Sequence, residues 1–502
     1  MSEQSPPVDS AEDINEHMRV RRAKRERLAA GGTDPYPVGV ARSATVGELR
    51  ERYADLATDT PTGEHASIAG RVVLSRIGGK LCFATVRDGT GDVQVMLSLD
   101  KLGEARLAAW KADVDLGDHI GVTGEVITSR RGELSVLADS WTMAAKSLRP
   151  LPDKHKGLSD PEARVRQRYV DLIVNPAARR MLEVRSATVR SLRESLARRA
   201  FVEVETPMLQ GVQGGATARP FTTHHNALDV DLFLRIAPEL YLKRLVVGGV
   251  ERVFEINRNF RNEGVSTKHN PEFTMLEAYQ AYGDYDTMAV LTREIVQEAA
   301  LAATGGLVVP RPDGSELDLS GEWRHTTVLD AISAAVGEVV SLAAAPDVVR
   351  RQAERAGVPV DLAWGTGAIV LEMYERLVEH VTVAPTFFRD FPKEVSPLTR
   401  EHRSNPALAE RWDLVVDGRE LGTAYSELID PVEQRARLVA QSLAKDSGDA
   451  EAMELDEDFL RALEFGMPPT GGMGMGVDRL LMVLTGAASI RECILFPLVR
   501  PQ

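Results

Sequence analysis

The residues from Glu251 to Tyr279 carry a pattern typical of a binding site. Val253–Phe260 alternates as a strand does, residues 261–271 (RNEGVSTKHNP) are polar, and Glu272–Tyr279 alternates again, which predicts a β-hairpin with a charged tip. On the returning strand, the period of two places four side chains on one face: Phe273, Met275, Glu277 and Tyr279. A buried face with an aromatic ring, a carboxylate and a phenol is costly unless something polar binds there.

A second hairpin is predicted around the two-residue turn Asp417-Gly418. With that turn, Val415 pairs with Glu420 and Asp413 pairs with Gly422, so Asp413 and Glu420 become diagonal neighbours, about 7–8 Å apart at the backbone. Two carboxylates at that spacing can share one hard cation. The alternative, two solvated carboxylates on an exposed face, stays open.

The strand after this turn carries further polar side chains. Thr423, Tyr425 and Glu427 share one face, and strict alternation puts Glu420 on the opposite face. If both sets serve one pocket, the strand must contain a bulge, and we expect it at Gly422.

A glycine-rich run, residues 471–476 (GGMGMG), leads into Val477-Asp478-Arg479 and an apolar helix from Leu480 to Leu484. Glycines let a ligand approach the backbone closely, and Arg479 at the helix start can lie flat over an aromatic ring. Such a run taken alone marks tight packing more often than a nucleotide site.

The N-terminal part of the chain shows short alternating strands between Ser67 and Trp141. The predicted strands are Ile68–Ser75, Leu81–Arg87, Asp92–Ser98, His119–Ile127 and Glu133–Ala138, and a helix, Lys101–Trp110, lies between the third and the fourth. This order predicts an OB barrel, which binds oligonucleotides on the face of strands two and three. Phe83 and Gln94 lie there and are candidates to stack on a base and to hydrogen-bond its edge, although either can be an ordinary barrel residue.

The other segments complete the predicted domain organisation. Residues 1–60 form a helical extension with a basic helix over about 11–30 that begins at the capping box Ser10–Asp13, residues 61–150 form the barrel, and residues 151–178 form a linker. Residues 179–502 predict an α+β domain built on an antiparallel sheet flanked by helices such as Arg179–Arg199, with a helical insertion at about 326–380.

Composition narrows the class of protein. The net charge of −14 argues against coating nucleic acid by bulk electrostatics, and two cysteines are too few for a disulfide framework or a cysteine-ligated zinc site. No apolar run reaches the roughly 18 residues of a membrane-spanning helix. Residues 1–17 lack the features of a secretory signal, so we expect a cytoplasmic protein.

Three segments together resemble a known family. Arg199–Leu209 (RAFVEVETPML), Phe260–Phe273 (FRNEGVSTKHNPEF) and Gly472–Arg479 (GMGMGVDR) resemble the signature motifs of class II aminoacyl-tRNA synthetases, in the family's order. Ile236–Arg244 (IAPELYLKR) and Tyr425–Leu428 (YSEL), with the N-terminal barrel, narrow the resemblance to the bacterial type of lysyl-tRNA synthetase.

The resemblance implies a reaction and its partners. Lysine and ATP form lysyl-adenylate and pyrophosphate, and the lysyl group then passes to the 3′ end of tRNA(Lys). Magnesium is the implied cofactor, motif 1 implies a homodimer, and the barrel would read the anticodon through Phe83, Gln94 and Glu133.

The resemblance also implies roles for individual residues. Arg261 and Arg479 would be catalytic, and magnesium would lie on Asp413 and Glu420. The implied ATP contacts are Arg261, Glu263, His269, Asn270, Phe273, Glu420 and Arg479. The implied lysine contacts are Gly215, Ala216, Glu239, Arg261, Glu277, Tyr279, Thr423, Tyr425 and Glu427.

The chain departs from the family pattern at a few positions. Thr423 stands where asparagine is common, Ala424 and Ala200 replace glycines, and Asp413 replaces a longer glutamate. We expect these changes to alter the affinity for lysine and to leave the activity in place, with magnesium bound through water at Asp413. Two other functions stay open: a paralogue that activates lysine or an analogue for a protein or lipid acceptor, and an RNA-binding protein that kept the fold without catalysis.

Overall fold

The chain divides into two compact units, and the boundary in the sequence falls between residues 157 and 158. This computed structural model describes residues 16–152, 158–448 and 451–500, so the expected capping box at Ser10 lies outside the described residues. No helix within those ranges is long and apolar enough to cross a membrane.

The first unit is a five-stranded closed barrel with helices around it, which confirms the predicted fold. Around the barrel the strands follow the order β1-β2-β3-β5-β4. Its elements are α1 (Glu16–Ala30), α2 (Val46–Arg52), β1 (Pro61–Arg76), β2 (Leu81–Arg87), β3 (Asp92–Ser98), α3 (Leu99–Asp113), β4 (His119–Thr128) and β5 (Leu134–Ala145). Alternate residues of β2 and β3 are buried, as a one-sided barrel strand requires.

The basic helix α1 packs on the barrel. Arg21 donates a hydrogen bond to the carbonyl of Leu116 at 2.9 Å, Lys24 pairs with Asp115 at 2.7 Å, and Arg27 pairs with Asp113. Part of the positive charge of the helix therefore serves to dock it.

The second unit is built on a large mixed sheet. Its elements are α4 (Pro161–Arg166), α5 (Arg168–Val174), α6 (Pro176–Arg198), β6 (Val202–Glu203), β7 (Leu209–Gln210), β8 (Phe221–His225), β9 (Val230–Leu234), α7 (Glu239–Val247), β10 (Arg252–Phe260), β11 (Glu272–Ala281), α8 (Tyr285–Thr304), β12 (Val308–Pro310), β13 (Glu316–Asp318), β14 (Arg324–Thr327), α9 (Val328–Val336), α10 (Pro346–Arg355), α11 (Thr366–Leu377), β15 (Thr386–Pro392), β16 (Glu401–His402), β17 (Asn405–Val416), β18 (Arg419–Ser426), α12 (Pro431–Asp446), α13 (Glu457–Glu464), β19 (Thr470–Gly476), α14 (Val477–Thr485) and α15 (Ile490–Cys493).

The sheet runs β14-β15-β17-β18-β19-β11-β10-β6, and β16 pairs with β17. The predicted antiparallel pairing holds in its centre, whereas the two outermost pairs, β14 with β15 and β10 with β6, are parallel. Helices α6, α8 and α14 cover one face and share a core with it, in which Leu192, Ile295 and Leu481 are buried.

Two segments differ in detail from the predicted organisation. The expected linker contains helices α4 and α5, and Arg168 fixes it by pairing with Asp171 at 2.7 Å and donating to the carbonyl of Leu495 at 3.0 Å. The segment between β14 and β15 contains α9, α10 and α11 and has a core of its own, in which the Tyr374 ring meets Phe388 and Phe391 edge-on.

The hairpin of β17 and β18 turns at Asp417-Gly418, and both residues have positive φ, 50° and 67°. Val415 pairs with Glu420 as predicted, but the next pairs are Leu414 with Gly422 and Asp413 with Thr423. The predicted pairing of Asp413 with Gly422 is therefore wrong. The extra residue is Leu421, a neighbour of the expected bulge position, and its side chain is buried in the core.

One backbone position stores strain that can be tested. Ala200 follows the end of α6 with φ at 62°, a conformation that favours glycine. We expect Ala200→Gly to raise the free energy of unfolding of the second unit by about 1 kcal/mol. Ala187→Gly inside α6 should lower it by about 1 kcal/mol. Urea unfolding measures both changes. If the free energy of unfolding falls in both variants, the backbone at Ala200 is not strained.

Candidate active site

The glycine-rich run forms strand β19, which lies between β11 and β18. Its odd-numbered residues Met473 and Met475 are buried in the core, so the even-numbered glycines face the opposite side of the sheet. Tyr279 and Tyr425 flank Gly472 in register, and Glu277 and Thr423 flank Gly474. The result is a groove with a glycine floor and polar walls.

A Cβ on this floor would have no room at its narrowest point. At Gly472 it would collide with a carboxylate oxygen of Glu427 and with the Tyr279 ring. Glycine at position 472 therefore leaves room for the Glu427 carboxylate and the Tyr279 ring.

One end of the groove is a cavity of about 320 Å³. Eight of the predicted site residues line it: Arg261, Glu263, His269, Asn270, Phe273, Glu420, Thr423 and Arg479. The Arg261 guanidinium lies over the Phe273 ring, 5.2 Å from its centre. Arg479 donates to the carbonyl of Glu420 at 2.7 Å, and its other terminal nitrogen lies 3.1 Å from His269 Nε2.

The polar groups of this cavity suit an anionic ligand with a flat ring. Burial lowers the pKa of Arg261, although Glu263 and Glu420 oppose the shift. Burial and Arg479 lower the pKa of His269, so this imidazole is neutral at pH 7. Among the described residues, Arg261 Nε and Asn270 Oδ1 are buried and have no hydrogen-bonding partner.

The other end of the groove is a cavity of about 530 Å³ with an acidic wall. Its predicted members are Gly215, Ala216, Glu239, Arg261, Glu277, Tyr279, Thr423 and Tyr425. Gly215 has φ at 86°, and a Cβ there would lie 3.3 Å from the Cβ atoms of Ala237 and Glu239. Glycine is therefore the residue that fits this position.

Burial sets the electrostatics of this pocket. It raises the pKa of Glu277 well above its usual range, and the charge of Glu239 raises it further. Burial also raises the pKa of Glu239, against the effect of Lys243, and that of Tyr425 to about 12. Such carboxylates are stable as ions only beside positive charge, so the pocket favours a cationic ligand.

The two cavities are continuous because they share part of their walls. The shared residues are Thr217, Arg261, Met275, Glu420, Thr423 and Gly474. A ligand group in the acidic pocket and one beside Phe273 can thus meet at Arg261.

Glu427 lines neither of these cavities. Its side chain is fully buried, and Lys243 Nζ lies 2.5 Å from Glu427 Oε2 and 2.6 Å from Glu239 Oε1. Lys243 is not among the site residues predicted above. The spacing of four between Glu239 and Lys243 on one helix could have indicated their ion pair. No pattern among neighbouring residues in the sequence indicated that Glu427 also contacts Lys243.

Asp413 lies in the interior beside the groove, and its oxygens are engaged. Arg411 holds both of them, at 3.0 and 2.8 Å, and the Thr423 hydroxyl donates to Oδ1 at 2.7 Å. Two of the departures from the family pattern, Asp413 and Thr423, therefore contact each other. The spacing of two between Arg411 and Asp413 on one strand face could have indicated the ion pair.

Glu420 fits a cation better than Asp413 does. Its side chain is 40% exposed at the groove, with Arg479 at 3.6 Å. No group of three or more histidine, cysteine or acidic side chains is arranged for a metal ion within the described part of the chain. A cation on Glu420 would need most of its ligands from a bound anion or water.

The barrel unit has a groove of its own, of about 950 Å³, on the face of β2 and β3. Phe83, Gln94 and Glu133 all line it, together with Arg76, whose guanidinium lies 5.8 Å from the centre of the Phe83 ring. Gln94 donates to the Ser135 hydroxyl at 2.9 Å. Aromatic, amide and cationic groups on one open face suit a single-stranded nucleic acid.

Comparison with known proteins extends over nearly the whole chain. A "Lysine--tRNA ligase" of Mycolicibacterium gilvum is 58% identical over 495 residues, 98% of each chain. "Lysine--tRNA ligase 1" of Mycobacterium tuberculosis is 57% identical over 502 residues, 99% of each chain. The "Lysylphosphatidylglycerol biosynthesis bifunctional protein LysX" of Nocardia farcinica is 55% identical over 499 residues, which are 99% of this chain and 43% of that protein.

Two family profiles match the two units. Residues 66–144 match the OB-fold nucleic acid binding domain, and residues 160–500 match the class II tRNA synthetases of the group D, K and N. The chain therefore belongs to the class II tRNA synthetases (D, K and N).

Proposed function

We propose that this enzyme activates L-lysine with ATP and transfers it to the 3′ end of tRNA(Lys). The observation that carries the proposal is the continuity of the two cavities: a pocket with Glu239 and Glu277 on its wall opens at Arg261 into one with Phe273 and Arg479. Curated relatives named lysine--tRNA ligase match the whole chain.

The acidic pocket suits lysine because this substrate carries two ammonium groups and an apolar stem. Glu239 and Glu277 would bind the α-ammonium and Glu427 the side-chain ammonium, while Tyr279 and Tyr425 would flank the stem. Gly215 and Ala216 would close the pocket with backbone groups. Aspartate would be repelled by the same carboxylates, which favours lysine over the acidic substrate of related enzymes.

The other cavity suits ATP. Phe273 and Arg479 would hold adenine between them, Glu263, His269 and Asn270 would contact the nucleotide, and Arg261 would bind both the α-phosphate and the lysine carboxylate. A carboxylate oxygen of lysine then forms a bond to the α-phosphorus while the bond to pyrophosphate breaks. In the second step, a ribose hydroxyl of tRNA attacks the lysyl carbonyl and AMP leaves.

Catalysis in this scheme is positioning and neutralisation of charge. No side chain acts as a covalent nucleophile, and Arg261 and Arg479 offset negative charge at the phosphates. Magnesium would be held by Glu420, with Asp413 behind it acting through water, and when bound it would supply further positive charge to the phosphate oxygens.

The barrel groove is proposed as the anticodon site, with Phe83 stacking on a base and Gln94 and Glu133 reading its edge. A homodimer through motif 1 is also proposed, because Val202, Met208 and Leu209 in that segment are large apolar residues that are 52%, 43% and 47% exposed. An enzyme of translation would act in the cytoplasm.

A second function is supported by one relative. The LysX protein of Nocardia farcinica is named for lysylphosphatidylglycerol biosynthesis, and this chain corresponds to 43% of it. Lysine activated here could therefore also supply a lipid acceptor. The barrel groove, with its candidate base contacts, favours tRNA as the direct acceptor.

ATP–pyrophosphate exchange across the twenty amino acids tests the proposal. We expect exchange with lysine to exceed that with any other amino acid, followed by charging of purified tRNA(Lys). Exchange without charging would favour the non-tRNA acceptor, and no exchange at all would favour a non-catalytic RNA-binding protein.

The magnesium assignment gives a graded prediction. Glu420→Gln should raise the magnesium concentration for half-maximal exchange by about tenfold, because this carboxylate is open to the groove. Asp413→Asn should have a smaller effect on that concentration, because Arg411 and Thr423 already engage its oxygens. The opposite order would show that Asp413 is the principal ligand.

The anticodon assignment predicts that a change in the barrel groove affects tRNA charging but not lysine activation. Phe83→Ala should lower kcat/KM for tRNA charging by about tenfold to a hundredfold, since stacking on one base contributes about 1–3 kcal/mol. Exchange should be unchanged because it needs no tRNA. Tyr36→Ala, which removes an exposed ring of the same unit that does not line the groove, is the control. If both variants charge tRNA equally well, Phe83 does not contribute to the contact with tRNA.

A further inference from the structure

Lys243 is a cation enclosed among the carboxylates of the lysine pocket. Its side chain is 0% exposed, and its Nζ lies 2.6 Å from Glu239 Oε1 and 2.5 Å from Glu427 Oε2. It comes from α7, whereas Glu427 follows β18, so the ammonium joins two elements of the fold.

Lys243 lies nearest to one oxygen of Glu427, Oε2, and neither oxygen of this carboxylate accepts a hydrogen bond among the described residues. The Glu427 oxygen on the other side, Oε1, is buried and has no hydrogen-bonding partner among the described residues, and it lies beside Gly472 and the Tyr279 ring. The oxygen that Lys243 does not hold is thus turned toward the glycine floor of the groove. An ammonium group of a ligand is what such an oxygen lacks.

Around the Tyr279 ring, the buried carboxylates exceed the buried cations by two, and Arg261, Glu375, Glu394 and Glu420 line other parts of the same cavity. Arg235 pairs with Glu255 at 2.7 Å and Arg411 pairs with Asp413 at 2.8 Å, so these two pairs neutralise themselves. The remaining carboxylates are Glu239, Glu277 and Glu427, and Lys243 balances one of them. Two unbalanced carboxylates match the two ammonium groups of lysine.

We propose that Lys243 is a positioning and specificity residue of the lysine pocket: it favours the ionised forms of Glu239 and Glu427 and holds Glu427 so that its free oxygen receives the side-chain ammonium of the substrate. This inference rests on the proposed function. The role differs from substrate binding, because Lys243 has no exposed surface and acts through the carboxylates.

The ionisation of Glu427 should respond to the loss of this charge. Burial raises the pKa of Glu427, and Lys243 is the group that lowers it. Lys243 and Glu239 act directly on Glu427, and Tyr279 lies near it with Glu277 and Tyr425 around that ring. Glu427 also lines a cavity together with Asp284, Arg400, Arg403 and Glu410. Without Lys243 the pKa rises further, so the ionised fraction of Glu427 near pH 7 falls and recovers only as the pH increases.

Lys243→Met tests this inference by exchange kinetics. We expect KM for lysine at pH 7 to rise by about tenfold or more relative to the parent, which corresponds to a pKa increase of about one unit. The values of kcat and of KM for ATP should change little. The ratio of variant to parent KM should fall between pH 7 and pH 9, and Lys243→Arg, which keeps the charge, should recover part of the loss.

Lys146→Met is the matched control. Lys146 is also fully buried and pairs with two carboxylates, Asp115 at 2.6 Å and Asp118 at 2.7 Å, but it lies in the barrel unit. The Lys146→Met variant should lose stability as Lys243→Met does, and it should keep the lysine KM of the parent. A Lys243→Met variant with unchanged lysine KM, or with a KM ratio that is independent of pH, would overturn the inference.

A double variant keeps the test valid if Lys243→Met does not fold. Glu239→Gln/Lys243→Met removes both charges of the helical pair, and it is compared with Glu239→Gln alone. We expect a further rise of about tenfold in lysine KM at pH 7 that diminishes at pH 9, and equal KM values would overturn the inference. The parent enzyme tests the proposed function separately, because its exchange with lysine does not depend on these variants.

Discussion

The second unit depends on one constraint: strand β19 has glycine at positions 472, 474 and 476, on the face that it turns toward the groove. Its backbone pairs with β11 and β18 on either side, so the sheet is complete, and none of these three residues puts a side chain into the groove. The Glu427 carboxylate and the Tyr279 ring occupy the space above Gly472 that a Cβ would need. Side chains of the two flanking strands then form walls around a floor of backbone, which is a requirement that only glycine meets.

This floor explains how one sheet carries two kinds of chemistry. Tyr279, Glu277 and Met275 succeed one another along one face of β11, and the groove passes from a carboxylate wall to a cavity with arginine and aromatic groups within those few residues. Arg261 stands where the two parts meet. In the proposed reaction a carboxylate is joined to a phosphate, and a group proposed to contact both reacting centres fits that junction.

Several buried charges of the unit have a partner of opposite sign close by. Arg411 with Asp413, Arg235 with Glu255 and Lys243 with two glutamates each place a cation among carboxylates that burial would otherwise protonate. Two departures from the family pattern belong to this balance, since Thr423 donates a hydrogen bond to Asp413. The shorter acid and the hydroxyl form a pair that Arg411 completes, and this leaves Glu420 as the more accessible carboxylate.

Features that depend on near neighbours in the chain could be predicted from the order of residues. Period-two alternation indicated the barrel strands and the polar face of β11, and Asp417-Gly418 indicated a turn, because positive φ at both positions requires such residues. The remaining features arise from contacts between distant segments. The bulge at Leu421 depends on how core packing sets the register, and the glycine run became a strand because two neighbours pair with it. Lys243 meets Glu427 only because packing brings α7 to the end of β18, and no local pattern records such a contact.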